Sequence, residues 1–515
     1  MKKQAILLGM AIVVFALGFA CEGKAASKEQ PKMGGTLIFG LGKEFANPNP
    51  FVATSSTFQF VKATVYESLL DQDDDGNIVS NLVDSYEVSA SGTSIAMRLR
   101  KGVKFHNGKE MKADDVVWSA GHVKNPKNAA FGNNMIKVVK SVEKINDYTI
   151  RFTLSKPSAT ILFDLSNIRM LPIVPANSLQ PGQTRLEKNA FVPGTGPFIF
   201  EQYQPGFDTV VKKFPDYWGG PAYLDKIMFR PITDSSNRFN ALRTGDVHMA
   251  DRIAPLDVNR IRKGDVKGIT ILAEPAGGYS HLIVNYENPL FKKIEMRQAL
   301  SYAADKQRLV DEVFFGHARK TDMMMLPESI WGQAANLPPH KRDLTKAKAL
   351  LKAAGYSGQE LSLIGRKSEA QLLESFYRML GEAGIKVKVE ILEAGVMNDR
   401  VATGRFDLYI AGGRITRDPV VTMTPEYYTT IAEKGRYSNP KVNKMMESLD
   451  TEFDQKRRLQ IFKDLAWTIY NDAADLPLFY EFRYVGMVEK VRNYGPPDGK
   501  NYEENGTYFK HVWLR

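Results

Sequence analysis

The sequence predicts an α/β fold, and three stretches carry that prediction. Between Asp343 and Ala411 segments with the period of a helix alternate with segments of strand character. Ser94–Ser119, SIAMRLRKGVKFHNGKEMKADDVVWS, holds a strand, a tight turn and a helix start in one run. Asp454–Tyr470 places Leu459, Phe462, Ala466 and Ile469 at helical spacing, which gives one apolar stripe.

In the first stretch Asp343 caps a helix that runs through Leu350 to Ala354 and stops at Gly355. Strand Leu361–Ile364, helix Gln371–Leu380, a strand alternating Ile385, Val387, Val389 and Ile391, helix Val396–Ala402 and strand Phe406–Ala411 follow. Helices between successive strands argue for parallel pairing. In the second stretch Ile95, Met97 and Leu99 form one buried face of a strand. Val103 and Phe105 start another strand, and Asn107-Gly108 is the pair that a two-residue hairpin turn prefers. Asp114 and Asp115 then sit in the first turn of a helix, where free amide groups favour carboxylates.

At the amino terminus Lys2 and Lys3 precede an apolar run from Ala5 to Ala20, which reads as a secretory signal peptide over 1–21. A membrane span is the alternative, although the run is short for a bilayer that needs about 20 residues. Cys21 is the one cysteine of the chain and follows the apolar run directly. Two uses remain open: acylation of Cys21 as a lipid anchor, or ordinary cleavage after Ala20 or Ala25. Residues 22–33 have the composition of a flexible tether.

Gly35–Gly40 is then a short strand, and the polar loop after it, with Thr54 and Ser55, is a candidate ligand wall. Phe58–Leu70 reads as a helix. Asp71–Gly76 has the spacing of a calcium loop, but its twelfth position would be Leu82 where a carboxylate is required, so an acidic turn between strands is expected. Val138–Leu154 alternates about a turn at Asn146-Asp147. Arg169, in the apolar run Leu162–Leu171, either points into a cleft or lies on the surface. Gly194-Thr195-Gly196-Pro197 lacks the helix and lysine of a phosphate loop and reads as a turn. Asn237–Thr244 reads as a helix and Val247–Ala250 as a strand.

With 515 residues, 43% of them hydrophobic and 25% charged, the chain suits about three domains of roughly 150 residues. Its formal charge of +11 becomes +9 without Lys2 and Lys3, and the charges are dispersed, which argues for a solvated basic surface and against nucleic acid. Beyond Cys21 there is no thiol for a disulfide, a thiolate cluster or a cysteine nucleophile. The 7 histidines form no i,i+3 or i,i+4 pair, so no metal site is expected. Neither HExxH nor GxSxG occurs; Ser280-His281 is not part of such an elbow, because Leu282 stands where its last glycine belongs.

The run Leu99–Ser119 resembles the string LR.GVKFH.G....A.DVV.S of the extracellular solute-binding protein family 5, the oligopeptide-, dipeptide- and nickel-binding proteins of ABC importers. Tyr66–Leu70, Gly194–Phe198, Pro215–Gly220, Asn288–Phe291 and Arg297–Ala303 extend the resemblance over nearly the whole mature chain. It implies a two-lobed periplasmic-binding-protein fold with a hinge and an extra inserted domain. Lobe I would comprise 34–64, 176–277 and 481–515, the inserted domain 65–175, and lobe II 278–480. The hinge would pass near Tyr279–Val284 and Leu478–Phe482, and its closure would bury a solute.

Gly412-Gly413-Arg414-Ile415-Thr416-Arg417-Asp418-Pro419 is expected as a turn at the carboxyl end of a strand, where α/β folds place ligands. Oligopeptide binders of the family carry Gly-Trp here and, a few residues later, an Asp that holds the α-ammonium. In this chain Gly413 stands for the Trp and Thr416 approximately for the Asp. Arg414 and Arg417 either bind an anionic solute or pair with Asp418 and nearby Glu. Tyr427, Tyr428, Trp331 and Tyr480 serve as aromatic walls or as core. His106 belongs to a string that is structural in the family.

The expected function is that of a substrate-binding component, not an enzyme, with no cofactor. It captures a peptide or peptide-like solute, anionic if the arginines bind it, and delivers it as an exported monomer to a permease and an ATPase. An envelope hydrolase, an envelope protein of structural or chaperone role, and a nickel-chelate or opine binder on the same fold are the alternatives.

Overall fold

Two long strands, Ile269–Val284 and Leu476–Val488, run antiparallel through the middle of the computed structural model. The model describes residues 30–45, 47–52, 57–73, 76–133, 135–186, 189–327, 329–414, 416, 418–428, 436–495 and 506–515. The signal segment, Cys21, and the candidates Thr54, Ser55 and Arg417 lie outside the described residues, as does the side chain of Arg414. Among the described residues no helix is long and apolar enough to cross a membrane.

The second long strand, LPLFYEFRYVGMV, is rich in the aromatic and β-branched residues that fit a sheet, and it is buried along most of its length. Both of its edges are paired. On one side of the two strands lie Leu408–Arg414, Leu361–Arg366 and Val387–Leu392; on the other lie Met249–Ala250, Thr36–Leu41, Lys226–Pro231, Thr209–Lys213 and Phe198–Gln202. Ala318–Lys320 adds to the edge of the second strand, completing an 11-stranded sheet. The long strands thus belong to two sheet halves, lobe I around Thr36–Leu41 and lobe II around Leu361–Arg366. Leu361–Arg366 pairs in parallel with both of its neighbours, as the alternation of helices and strands predicts. Leu408–Arg414 meets the first long strand antiparallel, so the whole sheet is mixed.

The ladder between the long strands is irregular between Pro275 and Tyr279, opposite Phe482 and Tyr480, and again between Ser280 and His281. Pro275 has no amide hydrogen to donate, which interrupts the ladder where the two lobes meet. Next to it Glu274 and Arg483, opposite one another in the register, form a buried ion pair.

A separate four-stranded antiparallel sheet, in the order Val83–Val88, Ser94–Leu99, Thr149–Leu154, Val139–Asn146, lies between the first strand and the rest of lobe I in sequence. It shares one apolar core with lobe I, in which Phe39, Val61, Tyr66, Leu99, Phe152 and Phe198 are buried together. Lobe II has its own core of Leu282, Phe291, Leu363, Phe376 and Leu408.

Four strings shared with the resembling family clamp this arrangement. Gly194 lies so close to the backbone that a Cβ there would collide with the Val65 carbonyl. The Gly194 amide donates to His106 Nδ1 at 3.2 Å, so Nε2 carries the proton and donates to the Gly196 carbonyl at 2.9 Å. Burial pushes this imidazole down to about 4, which keeps it neutral and structural. Buried Glu67 accepts from the Tyr217 hydroxyl at 2.8 Å and the Trp218 indole at 3.0 Å, and burial pushes its carboxyl up to about 7.

Some local expectations change. The helix expected over Phe58–Leu70 spans Thr57–Val65, because Leu70 already begins a strand, Leu70–Gln72, paired with Ile78–Ser80. The turn between them holds Asp73 and Gly76, with the Asn77 amide donating to Asp73. Val103 and Phe105 form no strand beyond a single bridge, Lys104 to Glu110. The turn there takes only Gly108 to a positive φ, +83°, while the Phe105 carbonyl accepts from the Gly108 amide. Helix Ala113–Lys124 begins as predicted, and Asp115 accepts from the Lys112 amide at 2.9 Å and from Lys109 Nζ at 2.6 Å.

Candidate ligand cleft

A cavity of about 280 Å3 opens between the segment that holds Phe163, Asn167 and Met170 and the segments that hold Tyr279 and residues 412–426. Phe163, on the short helix Thr160–Leu165, and Asn167 and Met170 just after it form one wall. Tyr279, Gly412, Gly413, Thr416, Thr422 and Glu426 form the other. Gly412 and Gly413 do not make the turn expected of them. Strand Leu408–Arg414 continues through them, with Gly413 opposite Tyr279 and Arg414 opposite Gly278. Directly opposite residues share a face of the sheet, and a Cβ at 413 would collide with the Tyr279 ring. The absent side chain is therefore what admits the Tyr279 ring to the cleft.

Thr416 is buried by local bonding. Its hydroxyl donates to the Asp418 carbonyl at 2.8 Å and lies 2.9 Å from the Thr422 hydroxyl. Asp418 caps helix Pro419–Tyr427 by accepting from the Val420 amide, and its other oxygen accepts from Arg458 Nη2 at 2.7 Å. The Asp-Pro pair thus starts a helix, and a cation from a distant helix satisfies the aspartate.

Glu426 is the carboxylate that faces the cavity. Its Oε2 is 2.8 Å from Arg436 Nη1, and its Oε1 is 3.9 Å from His281 Nε2. His281 is 1% exposed, and its Nδ1 lies 2.5 Å from Asp475 Oδ2. The remaining Asp475 oxygen accepts from the Tyr427 hydroxyl at 2.6 Å. Burial, with the Glu426 and Asp475 charges adding, pushes the Tyr279 phenol far above its ordinary value, and burial with Asp475 does the same to Tyr427. Both remain protonated donors. His281 Nε2 has no hydrogen-bond partner among the described residues.

The other candidates fall elsewhere. Tyr480 is 1% exposed in the lobe II core beside Phe482, and Tyr427 faces the interior beneath the cleft. The Arg169 guanidinium lies over the Phe131 ring at 4.3 Å, while its neighbours Asn167 and Met170 line the cavity. Trp331 packs on Phe462 and under the Arg458 guanidinium. Sequence reasoning missed Phe163, Tyr279 and Glu426 as cleft residues. The Tyr279 opposite Gly413 pairing was the one readable signal, since it follows from the register of two neighbouring strands. Glu426 follows a proline within its helix and carries no motif.

Asp450, in helix Pro440–Thr451, ties the two walls together. Its Oδ1 accepts from the Ser158 and Thr160 hydroxyls at 2.7 and 2.8 Å, and its carbonyl accepts from the Ala159 amide at 2.5 Å.

The chain is similar to several known proteins. The dipeptide-binding protein of Escherichia coli K12 is 25% identical over 543 aligned positions, covering 98% of this chain and 98% of that protein. The glutathione-binding protein GsiB of Pectobacterium atrosepticum is 28% identical over 453 positions, 85% of this chain and 87% of its own. Among solved structures, the periplasmic binding protein DppA from Helicobacter pylori in complex with the peptide STSA superposes with a TM-score of 0.72 at 27% identity, covering 94% of this chain and 98% of that one. The family profile of bacterial extracellular solute-binding proteins, family 5 Middle, matches residues 77–433, more than half of the chain. The protein therefore belongs to the family 5 extracellular solute-binding proteins, exported non-enzymatic components of transport with a two-lobed binding fold.

Proposed function

We propose that the protein is the solute receptor of an ABC importer, which captures a peptide or peptide-like small solute in the cleft between the inserted layer and lobe II and hands it to a permease and an ATPase. The cavity of about 280 Å3 carries this reading, because it is walled by the Phe163 and Tyr279 rings, the Glu426 carboxylate and Gly412 and Gly413. The dipeptide- and glutathione-binding relatives support the solute class. The receptor acts as a monomer, with 34–64, 176–277 and 481–515 as lobe I, 65–175 as the insertion and 278–480 as lobe II. If Cys21 is acylated, the lipid anchors it to the membrane.

A second reading is an anionic solute held by Arg414 and Arg417, whose guanidinium groups suit a carboxylate. A glutathione-like peptide carries such charge, and opine or nickel-chelate cargo falls under the same reading.

The experiment is native mass spectrometry of gently purified mature protein, with thermal shifts on adding di- and tripeptides, glutathione and opines. A retained peptide, or a melting temperature raised by one, is expected, since a ligand that binds only the native state stabilises it by mass action. An unchanged melt across all of them would count against the solute class.

A further inference from the structure

A second compartment of about 170 Å3 adjoins the cleft, and Phe163 lines both. The inserted layer contributes Ile78, Tyr86, Leu162 and Phe163 to it, and lobe II contributes Trp331 and Phe453. Its polar base is already satisfied. Arg458 gives one hydrogen bond to Asp418 at 2.7 Å and another to the Leu449 carbonyl at 3.1 Å, and its guanidinium lies 5.3 Å over the Trp331 ring. An entering group therefore meets the rings of Tyr86, Phe163, Trp331 and Phe453, with Asn77 and Gln455 also in the wall, above a charge pair whose members bond one another. A charged group would lose its water there and gain no counter-ion.

The compartment is assembled from two parts held together at its rim. Ser158 and Thr160 are bonded to Asp450, and Gly92, with φ at +67°, admits the Phe453 ring, against which a Cβ would stand 2.9 Å away. Phe163 stands in the wall of both spaces, so they adjoin at its ring. A space of about 150 Å3 is large enough for a benzene ring, and this compartment has about 170 Å3.

We propose that this compartment is a side-chain subsite of the cleft that takes an uncharged aromatic or large apolar group of the captured solute. The proposal rests on the peptide-like reading above and narrows it: the solute carries such a group next to the part held in the main cavity.

The test compares trialanine with alanyl-phenylalanyl-alanine by calorimetric titration into the parent protein and into Ile78→Trp, which fills the compartment from a small two-stranded sheet away from the main cavity. In the parent the phenylalanyl peptide should bind roughly ten- to hundredfold tighter, the scale of burying one phenyl ring. In Ile78→Trp that preference should vanish while trialanine binds as before. Equal affinities in the parent, or a preference kept by the variant, would overturn the subsite. A second arm needs no peptide. Benzyl alcohol at millimolar concentration should raise the melting temperature of the parent and not that of Ile78→Trp, with circular dichroism confirming that the variant is folded. If neither tripeptide binds, the peptide reading fails and the benzyl alcohol arm alone decides: equal shifts in both proteins, or none in the parent, would reject the compartment as a binding site.

Discussion

Tyr279 and Gly413 face each other across neighbouring strands, and the ring of one occupies the space that any side chain on the other would need. Gly413→Trp should therefore displace the ring and destabilise the protein by about 1 to 3 kcal/mol, the usual cost of overpacking. Tyr279→Gly combined with Gly413→Trp should recover most of that loss, because the indole then has the vacated space. Thermal melts of the two single variants and the double variant measure the coupling, and additive effects would show that the two positions do not share one space.

Asp450→Ala removes the acceptor for two hydroxyls of the inserted layer. Each bond is worth on the order of 1 kcal/mol, so the two walls should hold together less well. Small-angle scattering of the ligand-free variant should give a larger radius of gyration than the parent, and affinity for whichever solute is identified should fall several-fold. An unchanged radius and affinity would show that the rest of the closed surface suffices.

Glu67 ties pH to stability. Burial raises its carboxyl from 4.5 to about 7, so the folded state prefers it protonated. The stability this contributes is fully present below the unfolded value near 4.5 and is lost as pH rises through about 7, with a total on the order of 3 kcal/mol. Glu67→Gln, whose single amide oxygen keeps one of the two acceptor positions, should flatten that part of the curve. Denaturant midpoints of parent and variant at pH 5 and pH 8 provide the comparison, and parallel curves would show that Glu67 does not titrate there.

Arg414→Ala and Arg417→Ala test the anionic-solute reading. If either guanidinium meets a carboxylate in the closed cleft, its removal should cost about 2 to 5 kcal/mol, more than tenfold in dissociation constant. Titration of the identified solute into each variant reads this directly. Parent-like binding by both would leave recognition to the backbone, the aromatic walls and Glu426.

Cys21→Ser should move the protein from the membrane fraction to the soluble envelope fraction if the thiol is acylated. Unaltered fractionation would indicate an ordinary cleaved form.

The scaffold was more legible than the site. Periodicity located the lobe II strands and helices because each has one buried face, and Asp343 and Asp454 cap their helices where the sequence places them. The helix over Phe58–Leu70 was overextended, because its continuation is apolar and only pairing with Ile78–Ser80 draws Leu70 into a strand. The cleft was legible at Thr416 and at the glycines, but not in how it works. Gly413 looked like part of a loop because glycine weakens a strand locally, whereas here it makes room for a ring from the next strand. Tyr427 and Tyr480 read equally as walls or as core, since isolated aromatics do not show in sequence whether they face a cavity or a core. Glu426 and Phe163 become cleft residues only when two distant segments pack together.

The strand Leu476–Val488 is shared by both lobes, and this sets an order of assembly. Met249–Ala250, which binds Thr36–Leu41 on one side, needs Met487 and Gly486 on the other. Tyr279–Leu282 of lobe II needs Leu476–Tyr480 of the same strand. Neither half-sheet is complete until nearly the last part of the chain has emerged, and pairings so distant in sequence form slowly. The protein therefore remains unfinished through most of its synthesis, and the strand that joins the lobes also decides when both of them fold.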